Sequence, residues 1–223
     1  MTIRLSNCRT YETVIMSRRP MPPESITSID AKICFAPAPE LVEWAMATFI
    51  EDDGELHNPD HFHLQSASIG MLWTNVSNSR KGRRIVGQCE EGQPSGMMGK
   101  WGKARAEEQI VGWFGHVPNF ILTFEAEYAM SCSDAEFCAL VEHELYHAAQ
   151  ETDPFGAPKF HKSTGLPAFT LREHDIEEFI GVVRRYGADA SHVRALVDAG
   201  NAGPEIANVR IAHACGTCQL HAA

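Results

Sequence analysis

The stretch from residue 139 to 149 constrains this chain more than any other. It reads Ala-Leu-Val-Glu-His-Glu-Leu-Tyr-His-Ala-Ala, with His143 and His147 four positions apart. On a helix such a pair stands on one side, roughly 40° apart in rotation and about one turn apart in height. That spacing lets two imidazoles reach a single Zn²⁺ at the ~2.0–2.1 Å of a zinc–nitrogen bond. Glu144 follows the first histidine, does not bind the metal in this arrangement, and is placed to take a proton from a zinc-bound water. The flanking Leu140, Val141, Leu145, Tyr146, Ala148 and Ala149 are uncharged, and no Pro or Gly interrupts them, so a helix is expected. Ser133-Asp134-Ala135-Glu136 has the pattern of a capping box that would start it. Phe137, Leu140, Val141, Leu145 and Ala148 then share one apolar face, with both histidines at its edge and Glu144 within it. A carboxylate there is costly unless a metal, a water or a donor satisfies it. The plainer alternative, two histidines making ordinary polar contacts at a core border, leaves Glu144 unexplained.

At 223 residues the chain is long enough for one domain with a sizeable core, and its 44% hydrophobic content is that of a globular protein. A formal net charge of −10 argues against a broad phosphate-binding surface. The local cluster Arg80-Lys81-Gly82-Arg83-Arg84 reads as a solvated hairpin turn ahead of a nucleic-acid contact. No apolar run approaches the ~20 residues of a membrane span. Met1 to Thr10 lacks the apolar core of a secretory signal. The seven cysteines are odd in number and form no disulfide framework, so a reducing cytoplasm is expected.

Along the chain, Arg18-Arg19-Pro20-Met21-Pro22-Pro23 excludes helix and central strand, and residues 1–30 are expected to be a flexible or loosely docked arm. A helix is expected from Pro39, with Leu41, Val42, Ala45, Phe49 and Ile50 at helical spacing, ending near Asp53-Gly54. His57, His61 and His63 flank an Asn58-Pro59 turn signal. A polar turn is favoured there over a His-x-His metal pair. Ser68 to Asn75 and Asn119 to Phe124 read as strands, with Ile85 to Gln88 as a returning strand. Residues 89–103 read as a glycine-rich loop before a short helix, Ala104 to Phe114. An exposed edge among these strands can hold an extended peptide by main-chain hydrogen bonds.

Two histidines do not complete a catalytic zinc site, which takes a third protein ligand and leaves a position for water. The template with a glycine and a third histidine shortly after the second is not met: Gln150 and Asp153 stand at those positions. Asp153 remains an alternative ligand. Beyond a Pro/Gly-rich crossing, Asp175 and Glu178 form a cap pattern for a helix from about Ile176 to Tyr186, with Ile176, Phe179, Ile180 and Val183 as its buried face. His174 would sit just before it and is the preferred third ligand. Glu177 and Glu178 are rival ligands, and Asp175 or Glu178 could instead accept the N–H of a ligand histidine. Tyr146, Tyr186 and His161 are unranked donors for a developing oxyanion.

His-Glu-Leu-x-His at 143–147, Leu-Arg-x-His-Asp-Ile-Glu-Glu-Phe at 171–179 and Val-Val-Arg-Arg-Tyr-Gly at 182–187 together resemble the phage metallopeptidase family, compact zincin-like proteins of phages and prophages. The resemblance covers about 119–187 and extends back to about 31. It implies an α+β, zincin-like domain over 31–187, with a small mixed or antiparallel sheet packed on an active-site helix and a second ligand-bearing helix. It implies one catalytic Zn²⁺ on His143, His147 and His174, with Glu144 as general base. It also implies a peptide or protein substrate, and a cytoplasmic location in a bacterial host. Residues 188–223 lie outside it: a short helix over Ala188 to Asp198, a break at Gly200 to Pro204, then Cys215 and Cys218 with His213 and His221. These four are candidate ligands of a second, structural zinc, the alternative being a free terminal dithiol. Two further readings stay open. One is a zincin-fold zinc-binding protein without turnover. The other is a nucleic-acid-associated factor using Arg83, Arg84 and the terminal Cys-x-x-Cys.

Overall fold

The computed structural model describes residues 19–94, 99–176, 180–189, 193–203 and 214–215. Glu177, Glu178, His213, Cys218 and His221 lie outside these residues, and of Cys215 only the backbone pairing is described.

The first described residues are docked. Arg19 is buried, donates from Nε to Asp134 Oδ1 at 2.6 Å and lies 4.7 Å from the Phe137 ring centre. Its Nη2 donates to the Cys132 carbonyl at 2.9 Å. A short helix α1 (Glu24–Thr27) follows and buries Ile26. Of the arm expected over 1–30, at least these positions belong to the folded body.

β1 (Phe35–Pro37) leads into α2 (Pro39–Ala45), with proline at its first turn as expected. The helix continues as a π-turn over Met46–Ile50, so the predicted helix ends three residues early, at a turn rather than at Gly54. A 3-10 helix occupies Pro59–Ser66, where a polar turn was expected. The Asn58 side chain accepts from the Asp60 N–H and caps it, and His61 and Leu64 are buried beneath it. The Asn-Pro signal marks a helix start here because proline suits the first position and asparagine supplies the cap.

The strands follow as β2 (Ile69–Thr74), β3 (Asn78–Arg80) and β4 (Arg83–Glu91). The β3–β4 hairpin turns at Lys81 and Gly82, both with positive φ (48° and 76°). Helix α3 (Gly99–Phe114) begins five residues before its predicted start, taking up part of the expected glycine loop. β5 (Phe120–Glu125) comes next, then a short unpredicted helix α4 (Ala126–Ser131) and α5 (Asp134–His147). β6 (Ala148–Gln150), β7 (Phe169–Leu171), α6 (Ile180–Tyr186), α7 (Arg194–Ala202) and β8 (Ala214–Cys215) complete the described elements.

The architecture is α+β. A mixed six-stranded sheet runs β1-β2-β5-β4-β3, with β8 also pairing β4, and β6 and β7 form a separate two-stranded sheet. β2 is parallel to β5, and β4 is antiparallel to it. β5 is therefore interior, and its apolar run is that of a strand covered on both faces. One face carries Met71, Trp73, Leu122 and Phe124 against Phe137, Leu140, Val141 and Leu145 of α5. The other carries Leu72 and Ile121 against Ile110, Trp113 and Phe114 of α3.

Two helical predictions are corrected near the C-terminal end. α6 buries none of its residues, and Ile180 is 76% exposed rather than part of a covered face. With Ile176, Val183, Val193, Leu196 and Val197 it lines a shallow apolar groove between α6 and α7. Periodicity identifies an apolar face but not what covers it. α7 starts at Arg194 and runs through Gly200, ending at Gly203 with φ 80°, so the later glycine is the stop.

The Ser133 hydroxyl accepts from the Glu136 N–H while the Glu136 carboxylate accepts from the Ser133 N–H, completing the predicted capping box. Ser133→Ala should cost about 1 kcal/mol of stability in urea unfolding. Phe137→Ala should cost about 3–5 kcal/mol, since that ring packs against Trp44, Trp73 and Phe124.

Candidate metal centre

α5 is held at three places. The capping box and Arg19 secure its N-terminus, and its apolar face packs on the sheet. The 3-10 helix buttresses its flank with side chains that the sequence reading treated as a turn. Asn58 Nδ2 donates to Glu142 Oε1 and to the Tyr146 hydroxyl, both at 2.8 Å. The Tyr146 hydroxyl donates to Asp60 Oδ2 at 3.1 Å. His63 Nε2–H donates to the Ala148 carbonyl at 2.8 Å. His61 packs edge-on to Tyr146, centroids 4.7 Å apart, with its Nε2 4.0 Å from Glu142 Oε1. His61 and His63 are thus part of this buttress, and neither they nor His57 belong to the described metal-capable cluster.

The C-terminal end of α5 passes directly into β6, which pairs antiparallel with β7, Ala148 opposite Leu171. The ladder extends one residue further. The Arg172 N–H donates to the His147 carbonyl at 2.9 Å, and the Arg172 carbonyl accepts from His147 Nδ1–H at 2.6 Å. With Nδ1 carrying the proton, the His147 Nε2 lone pair is left facing His143. Two residues beyond Arg172, His174 arrives over α5.

His143 Nε2 lies 3.3 Å from His147 Nε2 and 3.2 Å from His174 Nε2. One ligand atom from each of the three histidines falls within 4.8 Å of the others. Four ligands at ~2.1 Å around a tetrahedral ion stand about 3.4 Å apart, so the spacing fits such an ion. Neutral imidazole lone pairs facing one another at this range repel unless a cation or a proton lies between them. The His143 pKa is lowered to about 4, first by burial and then by His147 and His174, which keeps its ring neutral and able to ligate near pH 7. Glu144 is fully buried within the apolar face, as the wheel predicted.

The three histidines open onto a cleft of about 320 Å³ that is also bordered by Asp60, Tyr146, Arg172, Glu173 and Asp175. Asp175 is ion-paired with Arg172 rather than bonded to a ligand histidine. Asp153 is not in the cluster: its Oδ1 accepts the Phe155 and Ala157 N–H groups of its own loop. His174 is carried by the segment between β7 and α6, so the third histidine comes from a loop and not from within a described helix. Of the three candidate oxyanion donors, Tyr146 borders the cleft. Tyr186 is exposed beside Arg185, and His161 lines a separate cleft with Glu91 and Phe169. Sequence reasoning missed Asn58, Asp60 and the Arg172 carbonyl. The only local signal for any of them was the Asn-Pro dipeptide.

The basic hairpin is partly engaged within the chain. Arg84 donates from Nε to the buried Glu125 at 2.9 Å and from Nη2 to Glu127 at 2.7 Å. Among the described residues no helix is long and apolar enough to cross a membrane.

A mixed α+β body that brings three imidazole ligand atoms within 4.8 Å of one another defines a metal-capable protein. The model of a family described as "Putative phage metallopeptidase" matches residues 42–201, and the chain belongs to that family. No curated protein and no solved structure matches it. At the coarse level the family description points to a peptidase of phage type that uses a metal ion.

The buttress also has a pH signature. The His61 pKa is lowered to about 4, first by burial and then by His63, with Asp60 acting in the opposite sense. The unfolded chain binds a proton at His61 near pH 6.5 and the folded chain does not until about pH 4. Stability is therefore full above pH 6.5 and falls as pH drops toward 4, by up to about 3 kcal/mol from this group. In chelator, His61→Gln should flatten that slope in denaturant titrations at stepped pH.

Proposed function

We propose that the chain is a zinc-dependent metallopeptidase that hydrolyses peptide bonds, with His143, His147 and His174 as ligands and Glu144 as general base. The observation that carries this reading is the convergence of the three Nε2 atoms, with the buried Glu144 following His143 on the same helix. Three imidazoles suit Zn²⁺ and leave a fourth position open to solvent. When bound, zinc supplies Lewis-acid polarisation of the scissile carbonyl and acidifies a water toward a pKa of ~7. Glu144 accepts the proton released by the attacking water and passes it to the leaving amine. The Arg172 carbonyl holds His147 in the ligating tautomer. The Tyr146 hydroxyl borders the cleft, accepts from Asn58 and gives its one proton to Asp60, so it would serve a developing oxyanion only by releasing Asp60. A helix bearing the first two ligands beneath a mixed sheet, with the third delivered from downstream, supports a zincin-like arrangement.

Glu144→Gln in the zinc-loaded chain should keep one bound zinc and lower kcat on a peptide library by ~10²–10⁴-fold. Zinc bound with no cleavage by the parent protein would make it a binding protein on the same scaffold. His174→Ala should weaken zinc binding, in chelator competition, by more than the ~10–100-fold that follows loss of an orienting partner alone. Unchanged affinity in that variant would remove His174 from the ligand set.

A further inference from the structure

β4 runs alongside α5, and Gly87 lies on the face that meets it. Gly87 pairs with Phe124 of β5, whose ring faces the same core. A Cβ built on Gly87 would stand 2.8 Å from Glu144 Oε1, 3.2 Å from Glu144 Cγ and 2.9 Å from Leu140 Cδ1. The two contacts below 3.0 Å are closer than real Cβ atoms make, so the ends of the Glu144 and Leu140 side chains would have to give way. Gly87 is not among the glycines with positive φ, so its backbone conformation does not demand glycine; the space does. Among the described glycines whose Cβ would collide, Gly54 meets backbone oxygens, Gly70 an aromatic ring and Gly92 Pro118. Gly87 is the one that meets an ionisable side chain.

We propose that Gly87 is a positioning residue for Glu144: by lacking a side chain it leaves a notch in β4 in which the carboxylate is seated. The inference rests on the reading of Glu144 as general base. Leu140, one helical turn before Glu144, closes the same notch from the N-terminal side, so Gly87 sits over an i, i+4 ridge. A side chain at 87 displaces the carboxylate while the nearest contacts of that new atom include none of the three histidines. Metal binding and general-base geometry therefore separate at this position. A displacement of about 1 Å at a reacting group costs on the order of 10²-fold in rate.

The test uses the full zinc-loaded chain and Gly87→Ala. The expected result is one zinc per chain, chelator-competition affinity equal to the parent, KM little changed, and kcat lower by roughly 10²-fold. Because Gly87→Ala also presses on Leu140, a second variant combines it with Leu140→Ala; thermal stability relative to Leu140→Ala should recover while kcat stays low. A third comparison needs no activity. In a Glu144→Ala background, Gly87→Ala should lower the melting temperature less than it does in the parent, the non-additivity expected of touching residues. A folded, zinc-loaded Gly87→Ala protein with parental kcat overturns the proposal. So does recovery of kcat by Leu140→Ala, which would assign the loss to core packing, and so do additive stability effects. A zinc-loaded parent that cleaves nothing overturns the proposed function itself and this role with it.

Discussion

The reciprocal pair of hydrogen bonds between His147 and Arg172 is the interaction on which the site depends. The last residue of α5 and the first residue beyond β7 exchange main-chain and side-chain bonds as though the β6–β7 ladder had one more rung. One bond orders the His147 tautomer. The same rung sets where the chain runs next, and so where His174 is delivered. Everything between, from Glu151 to Ala168, is a long excursion whose ends the two-stranded sheet brings together. Closing such a loop costs chain entropy that grows only slowly with its length. Cross-links within the excursion offset part of it, among them the bridges Thr152 to Pro158 and Phe160 to Pro167.

The second constraint is lateral. A helix packed on one face of a small sheet has one covered face and one open flank. Here the 3-10 helix takes the flank with Asn58, Asp60, His61 and His63, each bonded to or stacked on α5 or its end. This makes the helix a rigid platform, which a metal site needs, because ligand atoms must be held to within a fraction of an ångström. It also explains His61 and His63, which lie close in sequence and take no part in the described cluster. A polar side chain beside a buried helix is used as a brace when its partners are carbonyls and carboxylates rather than other imidazoles.

How much of this was legible in the chain varied with the range of the interaction. The capping box, the apolar face and the burial of Glu144 were read correctly from residues 133–148, because all of them follow from one helix's own periodicity. The strands at Ile69–Thr74 and Phe120–Glu125 were likewise visible in composition. The apolar face of α6 was read as buried and is open, because an amphipathic pattern says nothing of its neighbour. The 3-10 helix was read as a turn, because Asn-Pro serves both and only the docking of His61 and Leu64 decides between them.

By itself the sequence determined a helix that presents His143, Glu144 and His147 in a set order, since that geometry lies within about one turn of backbone. It also narrowed the third histidine to a short downstream motif. Tertiary structure alone decided that His174, and not Asp153, meets the pair, that Tyr146 borders the cleft while Tyr186 and His161 do not, and that β4 passes close enough to require glycine at 87. Those outcomes depend on how distant segments pair and pack, and no local period in the chain encodes the register between elements dozens of residues apart.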